Sequence, residues 1–272
     1  MTTPDGDSLF AGAIPQLYER YLVPLIFAPY AVDLASRVAR RQPSRVLEIA
    51  AGTGVVTRQL ANVLAPEVAI IATDLNQPML DHAAALGTAR PVEWRQVDAM
   101  RLPYPDASFD VVACQFGVMF FPDKPAAFAE ARRVLRPGGV FIFNVWDRID
   151  QNEFADTVGQ ALQSLFPGDP PRFMARVPHG YHDASAIAGD LEDGGFTRTA
   201  QFITLPRRSR ADSPHIPALA LCQGTPLRNE IEARAPSRLA EVTDIAAAAL
   251  ARRFGQGAVE GKIQAHLISV EL

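Results

Sequence analysis

The sequence predicts an α/β fold built on a doubly wound, mostly parallel sheet. Short β-rich runs alternate with helical patterns from about residue 45 to residue 146. The intervening helices are long enough to cross a sheet, which requires parallel pairing and, by default, right-handed crossovers. The stretch R-V-L-E-I-A-A-G-T-G-V-V-T (45–57) reads as a buried strand, a glycine turn and the start of a helix.

Each element has its own signal. Apolar, β-branched runs predict strands over 45–50, 68–75, 92–98, 109–116 and 140–146. Helical spacing predicts helices over 55–64, 78–86 and 124–135, the last stopped by Arg136-Pro137-Gly138-Gly139. Before this alternation lies a helical segment, 9–40, containing Tyr18, Tyr21 and a regular helix over 30–40. After it come a helix near 184–193, a strand near 198–205, an Ala-rich helical excursion over 216–254 and an alternating strand over 262–272. The expected organisation is one domain, 1–272. Its core is about 40–147 plus 184–210 and 262–272, and segments 9–40 and 211–257 form a cap.

Composition narrows the function. With 26 basic and 30 acidic residues the formal charge is −4, so no basic footprint for nucleic acid is expected. Cys114 and Cys222 have neither disulfide-framework nor metal-site spacing, and no metal site is expected. The acidic, polar start is unlike a signal peptide. Pro24 and Pro29 interrupt the nearest apolar run, 21–32, so no membrane partner and a cytoplasmic location are expected.

Two ligand classes compete for the glycine turn, where Gly52 and Gly54 let the backbone approach a ligand closely. A dinucleotide wants a third small residue where Thr57 stands, and Glu48 would repel its pyrophosphate. S-adenosylmethionine has no phosphate, and its cationic methionine end suits Glu48. Asp74, ending the second strand, is placed to accept from its ribose hydroxyls. Leu75 and Met79 can flank the adenine, and Asp98 and Ala99, closing the third strand, can meet its edge.

Four segments in this order carry a family resemblance: L-E-I-A-A-G-T-G (47–54), A-T-D-L-N-Q-P-M-L (72–80), Q-V-D-A-M-R-L-P-Y-P-D-A-S-F-D-V-V (96–112) and L-R-P-G-G-V-F-I-F (135–143). On them the chain resembles class I S-adenosylmethionine-dependent methyltransferases, in particular the small-molecule type that includes quinone-biosynthesis enzymes. The resemblance implies a Rossmann-like, seven-stranded sheet with an antiparallel C-terminal strand and a helical cap. It implies that Ala50, Gly52 and Gly54 line the methionine end, Asp74 holds the ribose, and Asp98 and Ala99 meet the adenine. Gln115 and Phe116 would lie beside the methionine moiety or the transferring methyl group. The sequence departs from the family at Ala50, where a third glycine is frequent.

The implied activity is in-line transfer of a methyl group to a small, largely apolar acceptor. A cofactor-binding protein without transfer activity and an NAD-dependent oxidoreductase remain as alternatives. After the fourth strand Cys114-Gln115-Phe116-Gly117 lacks the Asp/Asn-Pro-Pro-aromatic turn of DNA-amine methyltransferases. Tyr18, Tyr21, Phe116, Met119 and Phe120 are the expected acceptor wall. His182 and Tyr181, after the fifth strand, are the expected base candidates. An edge strand or the cap is available for pairing into a homodimer.

Overall fold

The computed structural model describes Asp7, Phe10 and residues 12–272. Residues 9 and 11 of the expected N-terminal segment, and most of the acidic start, lie outside the described residues. In chain order, α1 (Ile14–Leu17) leads through a π-helical stretch, Tyr18–Phe27, into α2 (Ala28–Arg40). The alternating half follows as β1 (Arg45–Glu48), α3 (Val55–Val63), β2 (Ala69–Asp74), α4 (Gln77–Leu86), β3 (Glu93–Gln96), β4 (Phe109–Gln115), α5 (Lys124–Val134) and β5 (Leu135–Trp146). Next come α6 (Glu153–Leu165), α7 (Phe173–Arg176), α8 (Ala184–Asp193), β6 (Gln201–Ala211), α9 (His215–Gln223), α10 (Leu227–Arg234), α11 (Leu239–Phe254) and β7 (Val259–Glu271).

The seven strands lie in the order β3-β2-β1-β4-β5-β7-β6. The first five pair in parallel, and β7 runs antiparallel between β5 and β6. Central strands are apolar on both faces because helices cover both: Val111 to Cys114 on β4 are fully buried. The order reverses between β1 and β4, so their C-terminal ends diverge into a crevice where α/β sheets hold ligands.

Several boundaries differ from the sequence reading for local reasons. β5 begins at Leu135, because Leu135 already pairs with Phe109 and a register shift absorbs the Pro-Gly-Gly that follows. β6 runs on through Pro206 to Ala211; it is an edge strand, where a missing N–H costs no ladder bond. The excursion 216–254 divides into α9, α10 and α11. Gly224 ends α9, where a Cβ would come within 2.7 Å of the Ala220 carbonyl oxygen, and Pro226 starts α10. α6 and α7, in a stretch with no sequence assignment, carry a mixed apolar face under the cap.

Pro24 and Pro29 do not break the N-terminal helix, contrary to expectation. Pro24 sits in the π-helical stretch, where the Ala28 N–H reaches the Val23 carbonyl five residues back. Pro29 sits in the first turn of α2, where its missing N–H is not needed. The resulting helix, Ile14–Arg40, is long and apolar enough to cross a membrane, with a mean hydropathy of 1.4 over its most apolar 18-residue window. Half of that apolar window is nevertheless buried in the protein. Tyr30 donates to the Leu205 carbonyl at 3.0 Å, and Ser209 donates to the Leu25 carbonyl at 2.7 Å, so the helix is tied to β6.

Candidate active site

A cavity of about 530 Å³ opens at the C-terminal edge of the sheet. Its floor begins at the turn after β1. Ala50, Gly52 and Gly54 all take left-handed backbone conformations, with φ of 53°, 57° and 80°. A Cβ on Gly52 would point at Met79 Cε (3.5 Å) and the Tyr18 hydroxyl (4.0 Å), both cavity groups, and would occupy ligand space. Gly54 has a different role. A Cβ there would lie 2.7 Å from the Trp94 ring and 3.2 Å from Ala83 Cβ, so this glycine lets α3 pack on β3 and α4. It does not line the cavity.

Ala50 is a non-glycine residue in glycine's conformation, which carries strain. Its methyl group fits because the residue opposite has none: a Cβ on Gly117 would sit 2.4 Å from Ala50 Cβ and 2.7 Å from Cys114 Sγ. The two positions are coupled. Gly117→Ala is expected to lower unfolding stability by about 1–3 kcal/mol, and adding Ala50→Gly should recover the part of that loss due to the Ala50 contact, leaving the part due to Cys114. A double-mutant cycle in denaturant checks this; independent, additive effects would contradict the coupling.

Asp74, only 8% exposed, accepts from the Gly52 N–H and the Asn76 N–H, each at 2.8 Å. It therefore clamps the glycine turn to the end of β2 while lining the cavity; Oδ1 also accepts from the Asn76 carboxamide at 3.4 Å, and Oδ2 keeps acceptor capacity for a ligand hydroxyl. Burial raises its pKa, opposed by these hydrogen bonds. Leu75 and Met79 line the same end. Asp98 accepts from the Met100 N–H at 2.9 Å and lines the cavity beside Ala99.

Glu48 sits elsewhere than the sequence reading put it. It is 2% exposed, accepts from the Thr57 hydroxyl at 2.6 Å and is not part of the lining. Burial pushes its pKa up to about 8, so it holds a proton at neutral pH. A neutral acid off the cavity cannot attract the cationic end of a ligand; it braces β1 to α3. Thr57, which argued against a dinucleotide, is its partner.

At the other end the lining is apolar. Phe116, again in a left-handed conformation (φ 53°), stacks on Trp146 with ring centres 3.9 Å apart and planes within 4°. Gln115 lines the cavity and donates to the Phe27 carbonyl at 3.3 Å. Tyr18, Met119 and Phe120 are all in the wall. Tyr18 stacks on Phe27 at 4.9 Å, and burial, with Asp74 nearby, holds its phenol protonated. Tyr21 is outside the lining, beneath the Arg20 guanidinium. Phe173, Leu221 and Trp146 belong to the wall without having been anticipated. Only Trp146, the aromatic end of a strand pointing at the crevice, had a sequence signal.

The expected base candidates are not brought to the acceptor. The Tyr181 hydroxyl donates to Asp190 at 2.6 Å and its ring carries the Lys124 ammonium. His182 Nδ1 is spent on the His179 carbonyl at 2.9 Å. The loop turns Val177 and Pro178 inward instead. His179 is buried with Nδ1 on the Asp147 carbonyl, and burial lowers its pKa to about 4. Among the described residues, no Lys, Arg or His lines the cavity.

Residues 47–143 match the family model described as a methyltransferase domain. The chain is 30% identical over 207 residues to the ubiquinone/menaquinone biosynthesis C-methyltransferase UbiE of Stutzerimonas stutzeri, covering 71% of this chain and 76% of that protein. It is 43% identical over 107 residues to the demethylmenaquinone methyltransferase of Deinococcus radiodurans, covering 39% of this chain and 44% of the relative. Two solved structures share the fold. The YcgJ protein of Bacillus subtilis has a TM-score of 0.56 at 20% identity, covering 89% of this chain and 98% of its own. The phosphoethanolamine N-methyltransferase 2 of Haemonchus contortus, solved with S-adenosylhomocysteine, has a TM-score of 0.57 at 16% identity, covering 95% and 56%.

The residues present fit the cofactor. The turn leaves open the space that a Gly52 side chain would fill, a clamped acid stands at the end of β2, and an acid and a small residue close β3. The dinucleotide and non-catalytic alternatives lose their ground on the same findings. The chain belongs to the class I S-adenosylmethionine-dependent methyltransferases, with S-adenosylmethionine as its cofactor and methyl transfer to a small molecule as its activity.

Proposed function

We propose that the acceptor is a hydroquinone-type aromatic ring, methylated on carbon. The observation that carries this reading is the acceptor end of the cavity, an aromatic and aliphatic wall around the stacked Phe116–Trp146 pair without a single basic side chain among the described lining residues. Such a wall suits a flat, uncharged ring and offers nothing to a phosphate or carboxylate. The names of the Stutzerimonas and Deinococcus relatives support the same class.

The chemistry is an in-line displacement. When bound, the cofactor supplies an electrophilic methyl group on a sulfonium. A ring hydroxyl of the acceptor would enrich the adjacent ring carbon in electrons and make it the atom that takes the methyl group, with the glycine turn at Gly52 and the Asp74 carboxylate holding the donor. The ring proton that the methyl group replaces would pass to solvent, since no Lys, Arg or His among the described residues lines the cavity to take it. The protein's part is alignment and exclusion of water, which supply much of such a barrier reduction. Tyr18 stays protonated and serves as a donor, not a base.

The test is a panel of reduced short-chain naphthoquinols and benzoquinols beside amines and phosphorylated amines. Expected is turnover of a quinol with the new methyl on carbon by NMR; turnover confined to amines would overturn the reading. Phe120 stands in the wall between Phe10 and Phe173. Phe120→Ala is expected to raise the acceptor KM roughly tenfold, the loss of one partly buried aromatic contact, with cofactor affinity unchanged by calorimetry.

The same reading takes residues 1–272 as one methyltransferase domain, supported by a hydrophobic core continuous from Leu22 to Val270. It keeps a cytoplasmic location, supported by the half-buried N-terminal helix. It leaves nucleic acid out as a partner, supported by the net charge of −4. A homodimer through an edge strand or the cap belongs to this reading too, and sedimentation tests it.

A further inference from the structure

Four residues of the π-helical stretch line the cavity: Tyr18, Leu22, Ile26 and Phe27. Their spacing fits the wider winding and not an α-helix. Tyr18 and Phe27 are nine positions apart, about two and a half α turns, which would set them on opposite sides of the helix. A π turn closes on the fifth residue back and holds more residues, so about nine complete two turns. The two rings therefore share a side, and they stack with centres 4.9 Å apart and planes 22° from parallel. Phe27 in turn meets Phe116 at 5.6 Å and Trp146 at 5.9 Å, so the winding brings Tyr18 to the aromatic wall.

π winding is rare beyond a single turn, and something must hold it. On the solvent side stand Arg20 and Pro24, both exposed and both outside the lining. In an α turn the Pro24 ring would run into the Arg20 carbonyl, four residues back. The wider turn relieves that clash, so the proline excludes the competing winding without touching the cavity. The C-terminal end of the stretch is anchored: the Ser209 hydroxyl donates to the Leu25 carbonyl at 2.7 Å, and Phe27 is buried. With that end fixed, a return to α winding would swing Tyr18 away from Phe27. At the other end Glu19 is held by Arg58 at 2.6 Å, a partly exposed ion pair of small worth.

We propose that Pro24 is a positioning residue that sets acceptor specificity: from the solvent side it keeps the stretch π-wound, and so keeps Tyr18 stacked on Phe27 in the acceptor wall. This rests on the apolar end of the cavity holding the acceptor, and not on the acceptor being a quinol.

Pro24→Ala and Pro24→Gln test it, each placing a helix former at an exposed position. Crystal structures of the variants should show α winding over 18–27 with the Tyr18–Phe27 stack broken, and the Tm should be equal or higher. Calorimetry with 1-naphthol, a flat uncharged ring, at saturating S-adenosylhomocysteine should give a Kd about tenfold weaker than in the wild type. S-adenosylhomocysteine alone should bind within about threefold of the wild type. A retained π winding with an intact stack in a folded variant would overturn the proposal, as would equal weakening of both ligands or loss of folding in both variants. If 1-naphthol does not bind the wild type, the aromatic-acceptor reading fails, and the variant structures alone decide the role of Pro24.

Discussion

Asp74→Ala should weaken S-adenosylmethionine binding by roughly 1.5–3 kcal/mol, the usual range for hydrogen bonds to a charged group, or about ten- to a hundredfold in Kd. The geometry gives two reasons. The carboxylate lines the cavity at the end of β2, where the ribose is expected, and it also clamps the Gly52 N–H. Removing it takes an acceptor out of the cavity and loosens the glycine turn it clamps. Asp74→Asn separates the two effects. It retains one acceptor oxygen for the backbone clamp but loses the charge, so its affinity should fall between wild type and alanine. Calorimetry decides, with a thermal melt to confirm folding. A Kd within twofold of wild type in folded Asp74→Ala would remove Asp74 from the cofactor site.

Glu48→Gln is expected to stabilise the protein at neutral pH. In the folded state burial holds the Glu48 pKa near 8, against an ordinary value of 4.5. Between those values the native state binds a proton that the unfolded chain has released, so stability falls as pH rises through the window and the full penalty is reached above pH 8. At pH 7 this amounts to something on the order of 3 kcal/mol. Glutamine removes the titration and still accepts from the Thr57 hydroxyl, a bond of 2.6 Å in the wild type. The variant should therefore unfold at a higher temperature at pH 7–8, equal the wild type near pH 4.5, and lose this part of the pH slope. Cofactor affinity should hold, since the side chain lies off the cavity. An identical pH slope in both proteins would mean that Glu48 is charged in the fold.

Glu48 also shows where sequence reasoning reaches its limit. Its place before the glycine turn is plain from spacing, and so is the alternation that makes the sheet. Whether its carboxyl faces a ligand or Thr57 depends on the rotation of a side chain between two elements, which spacing does not encode. Tyr181 and His182 follow the same logic. Both fall in the loop between α7 and α8, but the loop's turn buries His179, pairs Tyr181 with Asp190 and sends Pro178 to the wall. Pro24 and Pro29 misled for a local reason: an α-helical ladder forbids them mid-helix, whereas a π-helical stretch and a first turn accept them.

From sequence alone, the strand-end residues of the cavity were determined. Gly52, Asp74, Asp98 and Ala99 sit at strand ends that short local signals locate, and a parallel sheet must carry those ends to one edge. At the apolar end Tyr18, Phe116, Met119 and Phe120 were legible too, and the rest of the wall was decided only by tertiary structure. That remainder comes from the N-terminal helix, α7, α9 and the end of β5, segments far apart in the chain whose mutual approach is set by packing. The same holds for the coupling of Ala50 to Gly117, because the pair meets only once the strands and turns have taken their register.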